Sequence, residues 1–591
     1  MTWITNMHKC VNISLKTVLL RSICLLFLGL ECLHPAFSQD NLQHLKESLY
    51  LQTDRNLYIV GEQVWIKVNK LDAQGKKPDN FSKVVYIELL SKSGQPVNQL
   101  KLHVPDKSGS AGFTLSDTLS SGNYLLRAYT NWMKNFPATD FSFKTISVIN
   151  PFKSMEEIGV KRSIPVLEAK NTSPEIRTDK GLVLEAKFDT TTFGTRERVK
   201  VNIQARDSKG NPVEADLSVS IVRSCLFQDI RGNIHDAVHL SGGVEPGVQA
   251  SYLPELEGVI LSGKMLSSTN NQPMKNEVIM LSIVGKAARC QVYRTNDMGE
   301  FYFNLDDSGV QELVIQPVDS AVGDYFVELE PDFYSAYDHP LPGPLTLDTT
   351  ILRALNQVII NMQIENIYQP YQFHKHSPNP DTPEIDFYSE PEYHILISDY
   401  IPLKTIREVI KEIVPAVSVR VKEGRSYLWV DNGVDDLHFN NKPLVLVDGV
   451  LFDDVDQILN IRLTELEYIE VINLRYFLDG LMFEGIIHFV TKEGSMAGLE
   501  FHHAVFRQAY AALSEEFFFR SPGYSDDSDK SSPIPDFRNT LYWNPGLQTR
   551  EDGHTGFEFY TADDRGEYIV FIEGISPEGK SGSLYKKLIV Q

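Results

Sequence analysis

Short runs in which apolar and polar residues alternate recur along the chain and constrain its fold more than any other feature. Val64, Ile66 and Val68 alternate with an aromatic and a basic residue, and Leu217–Ile221 repeats the period of two. A period of two places one apolar row on one face of a β-strand, whereas an amphipathic helix requires a period near 3.6. We therefore predict a mainly β protein, built as a string of β-sandwich domains with one additional α+β domain.

Composition limits both the number of domains and the kinds of partner. A chain of 591 residues with 42% hydrophobic content can fill several packed cores, and about four or five domains are expected for this length. Its formal net charge of -22 opposes binding to nucleic acid and to anionic lipid headgroups. We therefore expect no nucleic-acid partner.

The N-terminus has the organisation of an export signal. Its parts are a positive flank (Lys9, Lys16, Arg21), an apolar run (Ile23–Leu30) and a small-residue cleavage site (Ala36–Ser38). This order is typical of a signal peptide, which we assign to residues 1–38. A lipoprotein signal at Cys32 is the alternative, but Glu31 does not fit it. No later segment is long and apolar enough to predict a transmembrane helix in the mature chain.

A polar motif distinguishes the first predicted sandwich, residues 45–152. Its residues are Thr53, Asp54, Tyr58, Gly61 and Glu62. The T-D-x-x-x-Y-x-x-G-E pattern resembles the opening strands of macroglobulin-type (MG2) modules, and residues 121–133 resemble their closing strand. The resemblance implies a fold and no catalysis. Residues 177–250 are predicted to be a second macroglobulin-like or Ig-like sandwich.

Cys225 and Gln228 have the C-x-x-Q spacing of the internal thioester of complement-like and macroglobulin proteins. That family motif has Glu before the Gln and usually Gly before the Cys, where this chain has Phe227 and Ser224. The simpler interpretation is a cysteine at a strand end. Cys290 is the other cysteine beyond the signal peptide, and whether the two pair is left open.

Residues 256–330 are predicted to form a third, smaller sandwich. The pattern consists of Gly263, Met265, Thr295, Asn296, Gly299, Phe301 and Phe303. It resembles the carboxypeptidase-regulatory (transthyretin-like) domain, although Met265 and Asn296 depart from that family. No peptidase unit accompanies it, because the H-x-x-E at His44 to Glu47 lacks the further ligands that a zinc site needs.

Residues 345–390 are predicted to be a connector. His374 and His376 could lie on one side of a strand as a minimal metal pair. The prolines around them favour a solvated loop instead.

Residues 391–495 combine helical and strand patterns. Apolar spacing from Leu403 to Ile413 predicts a helix that ends before Pro415. Three later features are a turn at Asp448–Gly449, a strand at Ile469–Val471 and a final Gly485–Lys492 strand. Their order resembles the plug domain of TonB-dependent outer-membrane receptors.

The part of the chain after the plug-like pattern bears on transport. A receptor barrel needs roughly 22 strands of about ten residues each, and only residues 496–591 follow. We therefore expect the plug-like domain to act without a barrel from this chain. Residues 500–591 are predicted to be one more β-sandwich, and whether its end is a secretion signal is left open.

Catalytic motifs are lacking in the sequence. It contains no G-x-S-x-G, H-E-x-x-H, Walker or C-x-x-C motif. The acidic pairs Asp453–Asp454 and Asp526–Asp527 lie in turn or loop contexts. We expect no catalytic residue, cofactor site or metal site, and we predict that the protein is not an enzyme.

These features together favour a non-enzymatic binding or scaffolding protein in the cell envelope of a Gram-negative bacterium. It would contact an outer-membrane or other envelope protein, and would be periplasmic, outer-membrane-associated or displayed at the cell surface. The alternative is an accessory component of TonB-dependent nutrient uptake. A thioester or hydrolytic enzyme is the third hypothesis.

Overall fold

The computed structural model describes residues 46–71, 81–153, 159–161, 175–227, 251–319, 322–336, 342–372, 386–388, 390–400, 403–432, 442–496, 498–515 and 518–591. These residues form mainly β structure, which confirms the predicted fold class. The predicted signal peptide lies outside the described residues. None of the helices in the described part of the chain combines the length and the apolarity that a membrane crossing requires.

The first sandwich occupies residues 46–153. Its strands are β1 (Ser48–Thr53), β2 (Leu57–Ile59), β3 (Gln63–Leu71), β4 (Val84–Leu90), β5 (Pro96–His103), β6 (Ser108–Thr114), β7 (Gly122–Tyr129) and β8 (Ser142–Ile149). They form two sheets, in the orders β1-β3-β6 and β2-β8-β7-β4-β5. Val64, Ile66 and Val68 are fully buried between the sheets, as their alternation predicts.

The next strands begin a second sandwich. Strand β9 (Gly159–Lys161) comes first in the chain and belongs to a separate two-stranded sheet. The strands of the second sandwich are β10 (Glu175–Lys180), β11 (Leu182–Lys187), β12 (Thr192–Phe193), β13 (Arg198–Asp207) and β14 (Asp216–Arg223). A short 3-10 turn at Ser224–Leu226 follows β14. Strands β11 and β13 pair with each other, and the other partners of β13 and β14 lie at the far end of the chain.

The third sandwich starts at residue 256. Its strands are β15 (Val259–Ser267), β16 (Val278–Ile283), β17 (Arg289–Arg294), β18 (Glu300–Leu305), β19 (Val310–Pro317) and β20 (Tyr325–Leu329). One sheet has the order β18-β15-β20, and the other contains β17-β16-β19. Phe301 and Phe303 alternate inward from β18 and are buried.

The predicted connector contains a long helix. Strand β21 (Thr346–Asp348) pairs with β9, and helix α1 (Thr349–Gln372) follows it. Leu355, Val358 and Met362 lie on one helical face and are buried against the ends of the first sandwich. The predicted connector over 345–390 therefore contains a helix that the sequence analysis did not predict. The apolar face of α1 has a core to pack against, which stabilises the helix.

Residues 390–496 form an α+β module. Its elements are β22 (Tyr393–Leu396), α2 (Ile406–Glu412), β23 (Val417–Lys422), β24 (Arg425–Val430), β25 (Leu444–Val447), β26 (Val450–Leu451), α3 (Val455–Asn460), β27 (Leu466–Leu478) and β28 (Leu481–Thr491). The sheet has the order β22-β27-β28-β25-β26. Thr405 caps α2 by accepting from the Glu408 amide, and the helix ends before Pro415 as predicted.

The chain then returns to the third sandwich. Strand β29 (Phe506–Ala511) pairs with β19 and completes the four-stranded sheet β17-β16-β19-β29. The α+β module is therefore inserted between two strands of one sandwich.

The last elements return to the second sandwich. They are a short helix α4 (Asp527–Lys530) and strands β30 (Thr540–Gln548), β31 (His554–Tyr560), β32 (Gly566–Ile575) and β33 (Ser581–Val590). One sheet has the order β10-β33-β32-β14-β30, with β12 also on β33, and the other has the order β11-β13-β31. The separate sandwiches predicted at 177–250 and 500–591 are therefore wrong. Their strands form one domain with one core, because each half alone exposes apolar faces that the other half covers.

Candidate functional site

The Asp448–Gly449 turn, which the sequence predicted within the plug-like pattern, is held by a buried hydrogen-bond network. It joins β25 to β26. Both residues have a left-handed backbone conformation, with φ of 44° and 76°, as a two-residue β-hairpin turn requires. The fully buried carboxylate of Asp448 accepts bonds of 2.7 Å from the Thr491 amide, the Thr491 hydroxyl and the Met496 amide. These contacts fix the turn to the end of β28.

This turn docks on the third sandwich. The Gly285 amide donates to the Asp448 carbonyl at 3.1 Å, and the Cys290 thiol donates to the Gly449 carbonyl at 3.2 Å. A Cβ on Gly449 would lie 2.9 Å from the Ala287 carbonyl oxygen. Position 449 therefore requires glycine for its close approach as well as for its φ. The turn that carries the plug resemblance is covered by the chain's own neighbouring domain.

A buried hydrogen-bond relay leads away from the turn. The Gly449 amide donates to His488 Nε2 at 2.9 Å, so His488 carries its proton on Nδ1. That nitrogen lies 2.7 Å from the Tyr388 hydroxyl oxygen, which donates its own proton to Glu470 Oε2 at 2.5 Å. Glu470 Oε1 lies 2.8 Å from Nδ1 of His394, whose side chain is half-exposed. The relay thus connects the buried turn to the protein surface.

The relay holds Glu470 as a carboxylate. Burial opposes its ionisation, but the hydrogen bonds from Tyr388 and His394, together with the nearby His488 ring at 3.8 Å, outweigh burial and lower the pKa of Glu470 to about 2. Burial and the nearby Glu470 charge raise the pKa of Tyr388, so its hydroxyl keeps its proton. The Tyr388 hydroxyl therefore donates to Glu470, and Glu470 is the acceptor at the centre of the relay.

Asp386, Glu470 and His488 also place one possible metal-ligand atom each within 4.8 Å of one another. His488 Nδ1 carries a proton here and cannot bind a metal. Moving that proton to Nε2 would point two N–H groups at each other and break the hydrogen bond from the Gly449 amide. Asp386 Oδ1 already accepts from the Ala288 amide at 2.6 Å. The donor set is therefore used within the protein, and the geometry is that of a structural relay.

The T-D-x-x-x-Y motif forms a second buried cluster, which joins the first and second sandwiches. The Tyr58 hydroxyl donates to Asp54 Oδ1 at 2.7 Å, and the Thr540 hydroxyl donates to Asp54 Oδ2 at 2.6 Å. The Ser220 hydroxyl donates to the Asp54 carbonyl at 2.6 Å. Tyr58 and Asp54 are fully buried. The motif therefore bonds across a domain boundary.

Glu62 extends this cluster. Its Oε2 accepts from the Ile59 amide at 2.7 Å and pairs with Arg55 Nη2 at 2.9 Å, while Oε1 accepts from Asn539 at 2.5 Å. Glu365 of α1 lies close by and accepts from the Phe537 amide at 3.0 Å. Burial, then the nearby Asp536 charge, raise the pKa of Glu365 to about 7.

A third buried cluster joins the first and third sandwiches. Lys101 Nζ donates to Asp332 at 2.7 Å and to the Tyr510 hydroxyl at 2.8 Å. Glu255 Oε1 accepts from the Tyr86 hydroxyl at 2.7 Å, and burial raises the pKa of Glu255 to about 7. Satisfied buried polar networks rigidify the structure around them, and this network bridges two neighbouring domains.

Only one residue of the C-x-x-Q pair lies in the described part of the chain. Cys225 lies in the 3-10 turn after β14, and Gln228 lies outside the described residues. Burial raises the pKa of the Cys225 thiol, and burial raises the pKa of the Cys290 thiol to about 12. Both cysteines are free thiols. Cys290 is buried and Cys225 is partly buried, and the raised pKa makes each thiol a weak nucleophile near neutral pH.

Other residues considered from sequence have structural partners or are not described. Glu47 accepts from the Ser82 amide and the Thr130 hydroxyl, whereas His44, His374 and His376 lie outside the described residues. Asp454 caps α3 by accepting from the Gln457 amide at 3.2 Å.

The relay was missed in the sequence. Glu470 and His488 are directly paired across β27 and β28, and His394 is paired with Glu470 across β22 and β27. Polar residues inside otherwise apolar strands were the available signal. Using it would have required the strand register, which alternation does not give.

Comparison with known proteins gives likenesses of fold only. No protein-family model matches the chain, and no curated protein matches it. Among solved structures, Escherichia coli alpha-2-macroglobulin activated by porcine elastase is 11% identical, with a TM-score of 0.23, covering 92% of this chain and 44% of that one. Salmonella alpha-2-macroglobulin reacted with methylamine is 10% identical, with a TM-score of 0.22, covering 92% and 39%.

The D0–D1 domain of intimin is 11% identical, with a TM-score of 0.14, covering 48% of this chain and 98% of that one. The chain spans less than half the length of the two alpha-2-macroglobulins. At these TM-scores the likenesses carry no argument about function.

Proposed function

We propose that this protein is a non-enzymatic binding or scaffolding protein of the bacterial cell envelope. It would hold an outer-membrane or other envelope protein through the α+β module of residues 390–496, while the three sandwiches form a rigid support. The observation that carries the proposal is the hairpin tip, residues 474–484, which presents apolar side chains on a fixed part of the module.

The hairpin tip has one packed face and one exposed face. Tyr476, Leu478 and Phe483 pack on a core shared with the third sandwich. Phe477 and Met482 are direct cross-strand partners on the opposite face, 69% and 44% exposed. Exposed apolar pairs at the end of a rigid element are typical of partner contacts.

The tip also offers backbone edges. Strand β22 pairs with β27 only through residues 468–471, and β25 pairs with β28 only through 486–489. Among the described residues, the distal halves of β27 and β28 pair only with each other. An extended segment of a partner could therefore add to this hairpin by β-augmentation.

The rigid support follows from the nested order of the domains. The third sandwich contains the module as an insertion, and the strands of the second sandwich enclose both in sequence. Buried polar clusters join the first sandwich to each of the other two. A partner bound at the tip would therefore be held by a set of domains that are packed against one another.

The resemblance to receptor plugs supports the envelope location, but no specific observation favours the accessory role in nutrient uptake. The Asp448–Gly449 turn, one of the features that carry the plug resemblance, is already covered by Ala287 and Cys290 of this chain.

Site-specific photo-crosslinking in growing cells tests the proposal. A photoreactive residue at Phe477 should give a discrete crosslinked species with an envelope protein. The matched control is Val421 on the hairpin of β23 and β24, which is apolar and 64% exposed. The control should give no such species.

Fractionation of the cell envelope on the same samples gives the location. The proposal predicts that the crosslinked species at position 477 is found in the outer-membrane or periplasmic fraction. No crosslink at 477, or equal crosslinking at 421 and 477, would contradict it.

A further inference from the structure

Two consecutive histidines and an aspartate from distant parts of the chain meet on the surface of the third sandwich. Asp324 Oδ1 lies 3.5 Å from His503 Nε2, and the His502 and His503 rings have centroids 4.2 Å apart. One ligand-type atom from each residue lies within 4.8 Å of the others. Tetrahedral zinc with bonds near 2.0–2.1 Å holds ligand atoms roughly 3.3 Å apart, so the Asp324–His503 pair already has nearly this spacing.

Core packing fixes the two segments that carry these residues. Asp324 directly precedes β20, and His502 and His503 lie shortly before β29. Val322 and Ala504 on the same segments both pack against the core of the third sandwich. The amide of Val505 donates to the carbonyl of His502 at 2.9 Å in a turn, which keeps both imidazoles on one side.

The segment before the histidines is anchored to the α+β module. Gln457 Nε2 donates to the Glu500 carbonyl at 3.1 Å, and the Glu500 amide donates back to Gln457 Oε1 at 2.9 Å. A ligand held by Asp324, His502 and His503 would therefore tie the end of the module to the third sandwich.

This cluster differs from the Asp386–Glu470–His488 relay because its side chains have ligand atoms that are accessible to an ion. All three side chains are exposed, and their contacts in the described structure leave ligand positions open. His502 Nδ1 accepts a 3.4 Å contact from the Ala504 amide. That contact is long and lies on an exposed ring, so a metal would displace it at small cost.

We propose that Asp324, His502 and His503 form a binding site for a divalent transition ion, for which zinc is the probe. Two imidazoles and one carboxylate are one of the donor sets found in three-ligand zinc sites, which keep a fourth position for water or another ligand. Calcium and magnesium prefer all-oxygen sites and are poor fits. The net charge of -22 also favours cations near the surface.

Isothermal titration of the tag-free full chain with zinc tests this site. The proposal predicts saturable binding with a stoichiometry of one, and no comparable binding of magnesium or calcium. Substitutions H503A and D324N should each weaken zinc binding by about 10-fold or more. The matched control is H554A, since His554 is exposed on the second sandwich and contacts Gln204.

A second readout is independent of affinity. Saturating zinc should protect residues 498–505 from hydrogen exchange in the wild-type chain and in H554A, and should not do so in H503A. Absence of stoichiometric zinc binding would overturn the proposal. Binding that survives both H503A and D324N would overturn it as well, because the ion would then lie elsewhere.

Discussion

The Thr540 hydroxyl lies 2.6 Å from Asp54 Oδ2, joining two buried residues that are 486 positions apart in the chain. Arg55 Nη1 donates to the same hydroxyl at 2.7 Å. One side chain of the second sandwich thus completes the polar motif of the first.

Removal of that hydroxyl should weaken the boundary between these sandwiches. We expect Thr540→Val to lower the free energy of unfolding by about 1–3 kcal/mol, because Asp54 and Arg55 each lose a buried partner. Urea denaturation measures the loss. Thr114→Val is the matched control, since its hydroxyl is exposed and bonds Gln63, and it should change stability by less than about 0.5 kcal/mol. Equal effects of the two variants would refute the assigned role.

Glu255 and Glu365 should make stability depend on pH near neutrality. Burial raises both pKa values from 4.5 to about 7. A carboxyl with a raised folded-state pKa stabilises the fold fully below its unfolded pKa, and this contribution is lost as pH rises through 7. Ionisation of each residue should therefore lower the free energy of unfolding by about 2–3 kcal/mol between pH 4.5 and pH 7.5.

The charge-free variants test this dependence. In urea titrations at pH 5 and pH 8, Glu255→Gln and Glu365→Gln should each flatten the decline in unfolding free energy. Glu412→Gln is the control, because Glu412 is 58% exposed and pairs with Lys411. A slope that is unchanged in both buried variants would show that these carboxyls ionise normally.

The thiol of Cys225 should be unreactive. Burial raises its pKa, which lowers the thiolate fraction. We expect that methylamine leaves the intact mass of the protein unchanged and that iodoacetamide modifies native Cys225 far more slowly than the unfolded chain. A mass increase with methylamine would support a thioester and contradict a non-enzymatic role.

Alternation in the sequence predicted strands and their buried faces but not their partners. Val199 and Val201 of β13 are buried as the pattern predicts, yet their strand pairs with β31, more than 350 residues away. Any strand with a suitable apolar face satisfies the same pattern. The sequence therefore could not reveal that residues 177–250 and 500–591 contribute strands to one domain.

Local signals were more reliable where one interaction decides the structure. Thr405 and Glu408 define the start of α2, and Asp448–Gly449 defines a two-residue turn. Helix α1 was missed because its apolar face, with Leu355 and Val358, is diluted by polar residues and gains its stability from tertiary packing. The contact between Gly449 and Ala287 also depends on tertiary packing, so the sequence could not predict it.

Hydrogen exchange of a Gly449→Ala variant tests most directly whether the Asp448–Gly449 turn packs against the third sandwich of the same chain. The added Cβ would meet the Ala287 carbonyl at 2.9 Å, whereas Gly480, at a similar φ of 83° in an Asp-Gly turn, has nothing within 4 Å. We predict that Gly449→Ala increases exchange at residues 283–290 of the third sandwich, and that Gly480→Ala leaves it unchanged. Unchanged exchange in both variants would contradict the account.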